Sequence, residues 1–217
     1  MLFRSKTLAI GPGGEKLVKF AAIICDRGRA AGYGGGGAVF GSKNLKAIAV
    51  RGTNPIKAAH PIELLKRIQQ YYTDTIEKSE MVRVHRQGGT LLAYQLPGDK
   101  RTHGVRNMSD EYWNNENILS VSRQTIDQNF LIRRHSCFGC PVYCSGIYQV
   151  NGEVFEGFHA NSFRSFVSNI DLKDPKMALT AHTLTNLYGL DGDQTSSVIA
   201  WAIECYENGI LTNKDTD

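Results

Sequence analysis

Three cysteines fall within eight residues, as Cys137-x2-Cys140-x3-Cys144. Thiolates at these separations can converge on one metal centre from a tight loop. Pro141 stiffens that loop and Gly139 relaxes it. Iron–sulfur ligation is the leading reading. A zinc site with His135 or His159 as a fourth ligand is the alternative. Cys25 and Cys205 stand apart and read as small buried hydrophobes. With no secretory leader at Met1–Lys6, the crowding favours metal over disulfides.

The second chemical stretch runs from Arg29 to Lys46. Six of its eighteen residues are glycine, and it carries three cations, Arg29, Lys43 and Lys46. Glycine lets backbone approach a bulky ligand, and successive N–H groups can form an anion-binding concavity. The stretch reads as a cradle for a phosphate-bearing cofactor, with a surface loop as the plainer alternative. Gly32-x-Gly34-x-x-Gly37 matches the dinucleotide fingerprint only formally. That fingerprint needs a following helix and an acidic residue about 20 positions on. Gly41-Ser42-Lys43-Asn44 is expected to interrupt a helix, and Arg51-Gly52-Thr53 stands where the acid belongs.

Glu156 and His159 are acid–base candidates, with a structural role as the plainer reading. Asp191 and Asp193 could simply cap the last helix.

These groups must be positioned by the rest of the chain. Its 217 residues allow one large domain or two small ones. Residues 1–53 hold nine basic and two acidic side chains, whereas residues 137–217 hold four and ten. The basic front suits an anionic ligand. It has no interleaved aromatic stripe, so nucleic acid is disfavoured. No run reaches the ~18 apolar residues of a membrane span, and a cytoplasmic protein is expected.

The front reads as strands at Thr7–Ile10, Leu17–Ile24 and Lys46–Val50, too few to close a sheet. Asn54-Pro55 marks a boundary, after which helices are expected to dominate. Pro61 opens a helix with apolar residues from Leu64 to Ile76 at helical spacing. Residues 80–120 read as irregular, with turns at Gly88-Gly89 and Pro97-Gly98. Asp174 and Pro175 start a helix that Gly189 can end, and a last helix runs near Thr195–Asn208. The expected class is α+β: an incomplete β-rich layer over 1–53, then a mainly helical, incomplete domain over 54–217 carrying the cysteine loop.

In this order the pieces resemble the tungsten- or molybdenum-dependent aldehyde:ferredoxin oxidoreductases. The resemblance rests on Ile10-Gly11-Pro12-x-Gly14-Glu15-x-Leu17 to Ile23, Arg29 to Gly32, Gly41 to Val50, the cysteine motif, Glu156-Gly157, Tyr188-Gly189-Leu190-Asp191 and Glu204-x-Tyr206-Glu207-x-Gly209. It implies a metal held by two pyranopterins beside a [4Fe–4S] cluster. Arg29 and Ala30, with Gly32 in the same cradle, would touch one pterin, the arginine lying between pterin and cluster. Leu190 and Asp191 would hold the other. Cys137, Cys140 and Cys144 would be three cluster ligands.

The resemblance further implies that the chain corresponds to about the middle third of such an enzyme. The implied partners are ferredoxin or another electron carrier and a small aldehyde-like substrate, in a possible homo-oligomer. The sequence also departs from the family pattern. Glu-Gly-Pro-Glu-Tyr-Glu becomes Glu156-Gly157-Phe158-His159-Ala160-Asn161, so an acid–base glutamate is Asn161, and His159 could substitute. A pterin-contacting aspartate is Asn186, an arginine is Tyr33, and a glutamate that binds a metal between subunits is Thr180. The tungsten subunit of benzoyl-CoA reductases is therefore an alternative, as is an inactive iron–sulfur remnant or a zinc-binding structural domain.

Overall fold

A computed structural model describes residues 5–26, 28–54, 57–91, 104–110 and 112–216. The Pro97-Gly98 turn and Pro55 lie outside the described residues.

The front folds as an antiparallel sheet of β1 (Lys6–Ala9), β2 (Ile23–Cys25), β3 (Arg29–Ala31) and β4 (Ala47–Val50), in the order β3-β2-β1-β4. Two short helices, α1 (Pro12–Glu15) and α2 (Gly36–Ser42), pack on each other beside it. Two expectations need correction here. The strand foreseen over Leu17–Ile24 is only Ile23–Cys25, because Leu17 adopts a positive φ of 58° and Val18 N bonds back to Gly13 O at 2.9 Å. A helix does follow the glycines. Gly35 enters it in the left-handed region, and Gly37 N donates to Ala21 O at 2.8 Å, so tertiary packing overrides the poor helix propensity of glycine.

Beyond residue 60 the structure is more mixed than the helical expectation. Helix α3 (Pro61–Tyr71) forms as foreseen and passes into a π-turn at Tyr72–Ile76. Its apolar residues nevertheless stay out of the core, with Ile62 73% and Leu65 65% exposed. The stretch read as irregular contains α4 (Glu80–Gly88) and α5 (Asn115–Ser120), opened by side-chain caps from Ser79 and Asn114. Next come α6 (Arg123–Phe130) and a second antiparallel sheet, β5 (Leu131–His135), β6 (Ser145–Val150) and β7 (Glu153–Glu156). Asn151 and Gly152, both with positive φ, make the tight β6–β7 turn.

The main core lies where this sheet meets α6, α7 (Ala160–Phe166) and α8 (Pro175–Tyr188). Tyr148, Phe155, Phe158, Phe166 and Leu179 form part of it. Asp174 caps α8 through its carboxylate, and Gly189 ends it in the left-handed region, both as expected. Helix α9 (Gly192–Glu207) starts earlier than foreseen, with Asp191 as its cap, and α10 (Asn213–Thr216) closes the described chain.

Two glycine contacts join the front sheet to this body. Gly11 packs on the Tyr188–Gly189 backbone, where a Cβ would lie 2.4 Å from the Tyr188 carbonyl carbon. Gly157, at φ 94°, packs on Gly28, where a Cβ would lie 2.1 Å from the carbonyl oxygen. Gly152 has a similar φ of 85° but open space around it. Gly152→Ala is therefore expected to cost about 1 kcal/mol in backbone strain alone, and Gly157→Ala distinctly more because strain and collision add. Urea unfolding of the two variants checks the order.

Candidate functional site

A cavity of ≈ 440 Å³ opens between the front sheet and the helical body. It is lined by Arg29, Ala30 and Gly32 from the glycine-rich stretch, by His159 and Asn161 around the start of α7, and by Asn186 and Asp191 around the end of α8. Residues 130 positions apart in sequence meet here because of two local devices. The Gly28–Gly157 contact brings the start of β3 against the start of α7. A backbone seam, Ala22 N to Gly189 O at 2.8 Å and Asp191 N to Phe20 O at 2.9 Å, fixes the α8–α9 turn on the front sheet.

Arg29 lines the cavity together with the carboxylates of Asp191 and Asp193. Its Nη1 lies 2.6 Å from His159 Nε2. A guanidinium can only donate, so Nε2 must accept and the ring proton sits on Nδ1. The Cys144 backbone carbonyl acts on the same ring, favouring its protonated form. Among the described residues, Arg29 Nε and Nη2 are buried without a hydrogen-bond partner. Burial, and then the Arg29 charge, push His159 down to about 4 against the opposing pull of that carbonyl.

His182, on α8, lines the same cavity while largely buried, edge-on to the Phe158 ring. Asn186 Nδ2 lies 3.1 Å from its Nε2, and its Nδ1 meets no acceptor in hydrogen-bonding geometry. Burial, and then the neighbouring His159, push it down to about 4, with the Glu156 carbonyl opposing.

Asp191 does two things at once. One carboxylate oxygen accepts from Gln194 N at 2.8 Å, capping α9, and the other lies where a Cβ on Gly32 would come within 2.1 Å. The capping reading and a cavity-facing role therefore coexist. Leu190 does not line the cavity. It pairs with Ala21 through its backbone, and its side chain packs towards Gly13.

Glu156 and His159 are not brought into one cavity. Glu156 pairs with His135 at 3.0 Å and lines a separate space of ≈ 480 Å³ with Ile24, Ile147 and Phe155. Asn186 borders both spaces.

The three cysteines share the loop between β5 and β6. Cys137 is exposed, and Cys140 and Cys144 are half-buried, all as free thiols. Cys140 N bonds to Cys137 O at 3.0 Å, Arg86 Nε holds the Pro141 carbonyl at 2.8 Å, and Thr90 N reaches Cys144 O at 3.3 Å. Among the described residues, no three His, Cys, Asp or Glu side chains converge as metal ligands do. Arg134 at the end of β5 pairs with Asp127, which Arg123 also holds, so the root of the loop is pinned to α6. Sequence reasoning had not singled out Thr90, His182, Asp127 or Arg134. His182 stands one helical turn before Asn186, the one local sign that could have marked it.

Residues 3–52 match the family model "Aldehyde ferredoxin oxidoreductase, N-terminal domain", and residues 67–217 match "Aldehyde ferredoxin oxidoreductase, domains 2 & 3". The chain belongs to the aldehyde ferredoxin oxidoreductase family. It is 31% identical to the aliphatic sulfonate oxidoreductase WOR-like subunit of Pyrococcus furiosus over 95% of its own length and 33% of the relative's. It is likewise 31% identical to the tungsten-containing aldehyde ferredoxin oxidoreductase of Thermococcus kodakarensis, over 95% of its own length and 34% of that enzyme. Among solved structures, the active-site complex BamBC of benzoyl coenzyme A reductase, in complex with 1,5 dienoyl-CoA, aligns with a TM-score of 0.70 at 25% identity. It covers 98% of this chain and 34% of that one. The chain thus spans about a third of the length of these relatives. No described helix is long and apolar enough to cross a membrane.

The buried histidine sets a pH dependence. His182 has its folded pKa depressed from 6.5 to about 4, so the unfolded chain binds the proton first as pH falls. Its contribution is complete above pH 6.5, is lost progressively down to about pH 4, and falls no further below that. The urea midpoint should drop between pH 7 and pH 4.5, and His182→Gln should remove part of that drop.

Proposed function

We propose that this chain supplies a pterin seat and a cluster loop to a tungsten- or molybdenum-dependent oxidoreductase that converts an aldehyde to a carboxylate. The observation that carries the reading is the free edge of Arg29. Two buried N–H donors without partners among the described residues, on an arginine that lines a cavity bordered by glycine backbone and by Asp191, fit an anionic, hydrogen-bonding cofactor. A buried donor left unmade costs about 1–3 kcal/mol, so a wall built this way calls for an acceptor. The thiols at 137, 140 and 144 have the donor chemistry of a [4Fe–4S] cluster, with a fourth ligand to come from elsewhere.

In this reading Arg29, Ala30 and Gly32 hold one side of the bis-pyranopterin. Asn186 and Asp191 hold another, and Leu190 fixes the Asp191 turn from behind. Residues 1–53 act as part of the pterin-binding layer and residues 54–217 as the domain bearing the cluster loop. When bound, the metal–pterin group supplies two-electron oxygen-atom chemistry, and a cluster exports electrons singly to ferredoxin or a similar carrier. The protein's own work is to present hydrogen bonds and charge. His159 keeps its Nε2 lone pair on Arg29, so a free acid–base group in the cavity must be sought elsewhere. The proposed setting is the cytoplasm, with a homo-oligomer as a possible assembly.

A benzoyl-CoA-reductase-type reaction is the second reading. It is favoured by Asn161 at the position of an acid–base glutamate and by the likeness to the BamBC complex.

The test is metal analysis and dye reduction on protein purified without oxygen. Tungsten or molybdenum with iron and acid-labile sulfide, and aldehyde-dependent viologen reduction, are expected. Replacing all three loop cysteines by serine should remove most of the iron. Zinc in place of iron, or no heavy metal, contradicts the proposal, and reduction coupled only to an aromatic acyl-CoA selects the second reading.

A further inference from the structure

The bond between Arg29 and His159 does more than bury a charge. An arginine has two faces of use to an anion, and each is a pair of parallel N–H donors. His159 takes Nη1 alone, through a single lone pair. What remains is the Nε/Nη2 edge, buried and unpaired, which is the fork that accepts two oxygens of one phosphate or carboxylate. A carboxylate at position 159 would behave differently. It would neutralise the guanidinium and compete for that fork. A neutral imidazole instead fixes the plane of the guanidinium and leaves its charge and its fork available. The Cys144 carbonyl also acts on this ring, and it is itself held by Thr90 N at 3.3 Å.

We propose that His159 is a positioning residue, a neutral strut whose Nε2 sets which edge of Arg29 faces the cavity and whose Nδ1–H ties that arginine to the backbone of the cysteine loop. It touches neither substrate nor reacting atoms. It acts through Arg29, so that the cation, the cavity and the loop move as one unit. The assignment of the open fork to a cofactor oxyanion rests on the pterin-seat reading above, whereas the strut itself rests on the Arg29–His159 bond.

The experiment has two arms. In the first, long-range proton–nitrogen NMR of 15N-histidine-labelled protein at neutral pH reads the tautomer. His159, assigned by its loss in His159→Gln, is expected to carry its proton on Nδ1, the minor tautomer of free histidine. A ring protonated on Nε2, or on both nitrogens, overturns the strut. In the second, pterin released by acid oxidation is quantified by fluorescence per polypeptide in anaerobically purified wild type, His159→Gln and His159→Glu. Glutamine offers a neutral acceptor and should keep pterin near the wild-type level. Glutamate should lower it about tenfold or more by capturing the fork. Equal retention in the glutamine and glutamate variants, with both folded by circular dichroism, overturns the positioning role. Absence of pterin from wild type would instead count against the cofactor reading, and the tautomer would still decide the strut.

Discussion

The structure depends on the close approach of two backbones with no side chain between them. Gly11 lies on Gly189, and beside them residues 20–22 hydrogen-bond to residues 189–191. Backbone pairing of this kind tolerates almost no displacement, because the donors and acceptors would otherwise be buried unpaired. It fixes the end of α8 and the start of α9 against the front sheet, which places Asn186 and Asp191 opposite the glycine-rich stretch. The Gly28–Gly157 contact does the same for Arg29 and His159. The cavity walls are therefore set by four glycines, of which Gly28 and Gly157 also line the cavity.

Electrostatics then follow from placement. One half-buried cation lines a cavity that two histidines, held neutral chiefly by burial, also line. Had either been charged, it would have competed with Arg29 for the same anion or repelled it. The acidic groups nearby are already employed: Asp191 caps α9, and Asp193 accepts from Ser165 and pairs with Arg164 at 3.4 Å. Arg29 and His182 keep donors unpaired among the described residues, consistent with a site built for a ligand rather than for its own stability.

Local signals in the sequence suffice where the structure rests on short-range physics. The Asp174 cap, the Gly189 stop and Pro61 at a helix start all need only neighbouring residues. Other local signals were available but passed over. Asn151-Gly152 between alternating apolar residues marks the β6–β7 hairpin, and Ser79 and Asn114 mark the starts of α4 and α5. What could not be read locally is of a different kind. The helix after Gly35 forms because it packs on α1, against its propensity. The Arg29–His159 bond joins residues 130 apart, and nothing near either one announces the other. Glu156 and His159, three apart in sequence, point to different cavities because Gly157 turns the chain between them.

The central claim is that the space bounded by Arg29, Asn186 and Asp191 seats the metal-bearing pterin, with iron on the adjacent cysteine loop. Crystals of anaerobically purified protein, with diffraction recorded at the tungsten and iron absorption edges, test it most directly. The account predicts a heavy-metal anomalous peak within that cavity and an iron peak at the 137–144 loop. A heavy metal bound elsewhere, or a cavity in which the open edge of Arg29 is closed by a protein carboxylate, would contradict it.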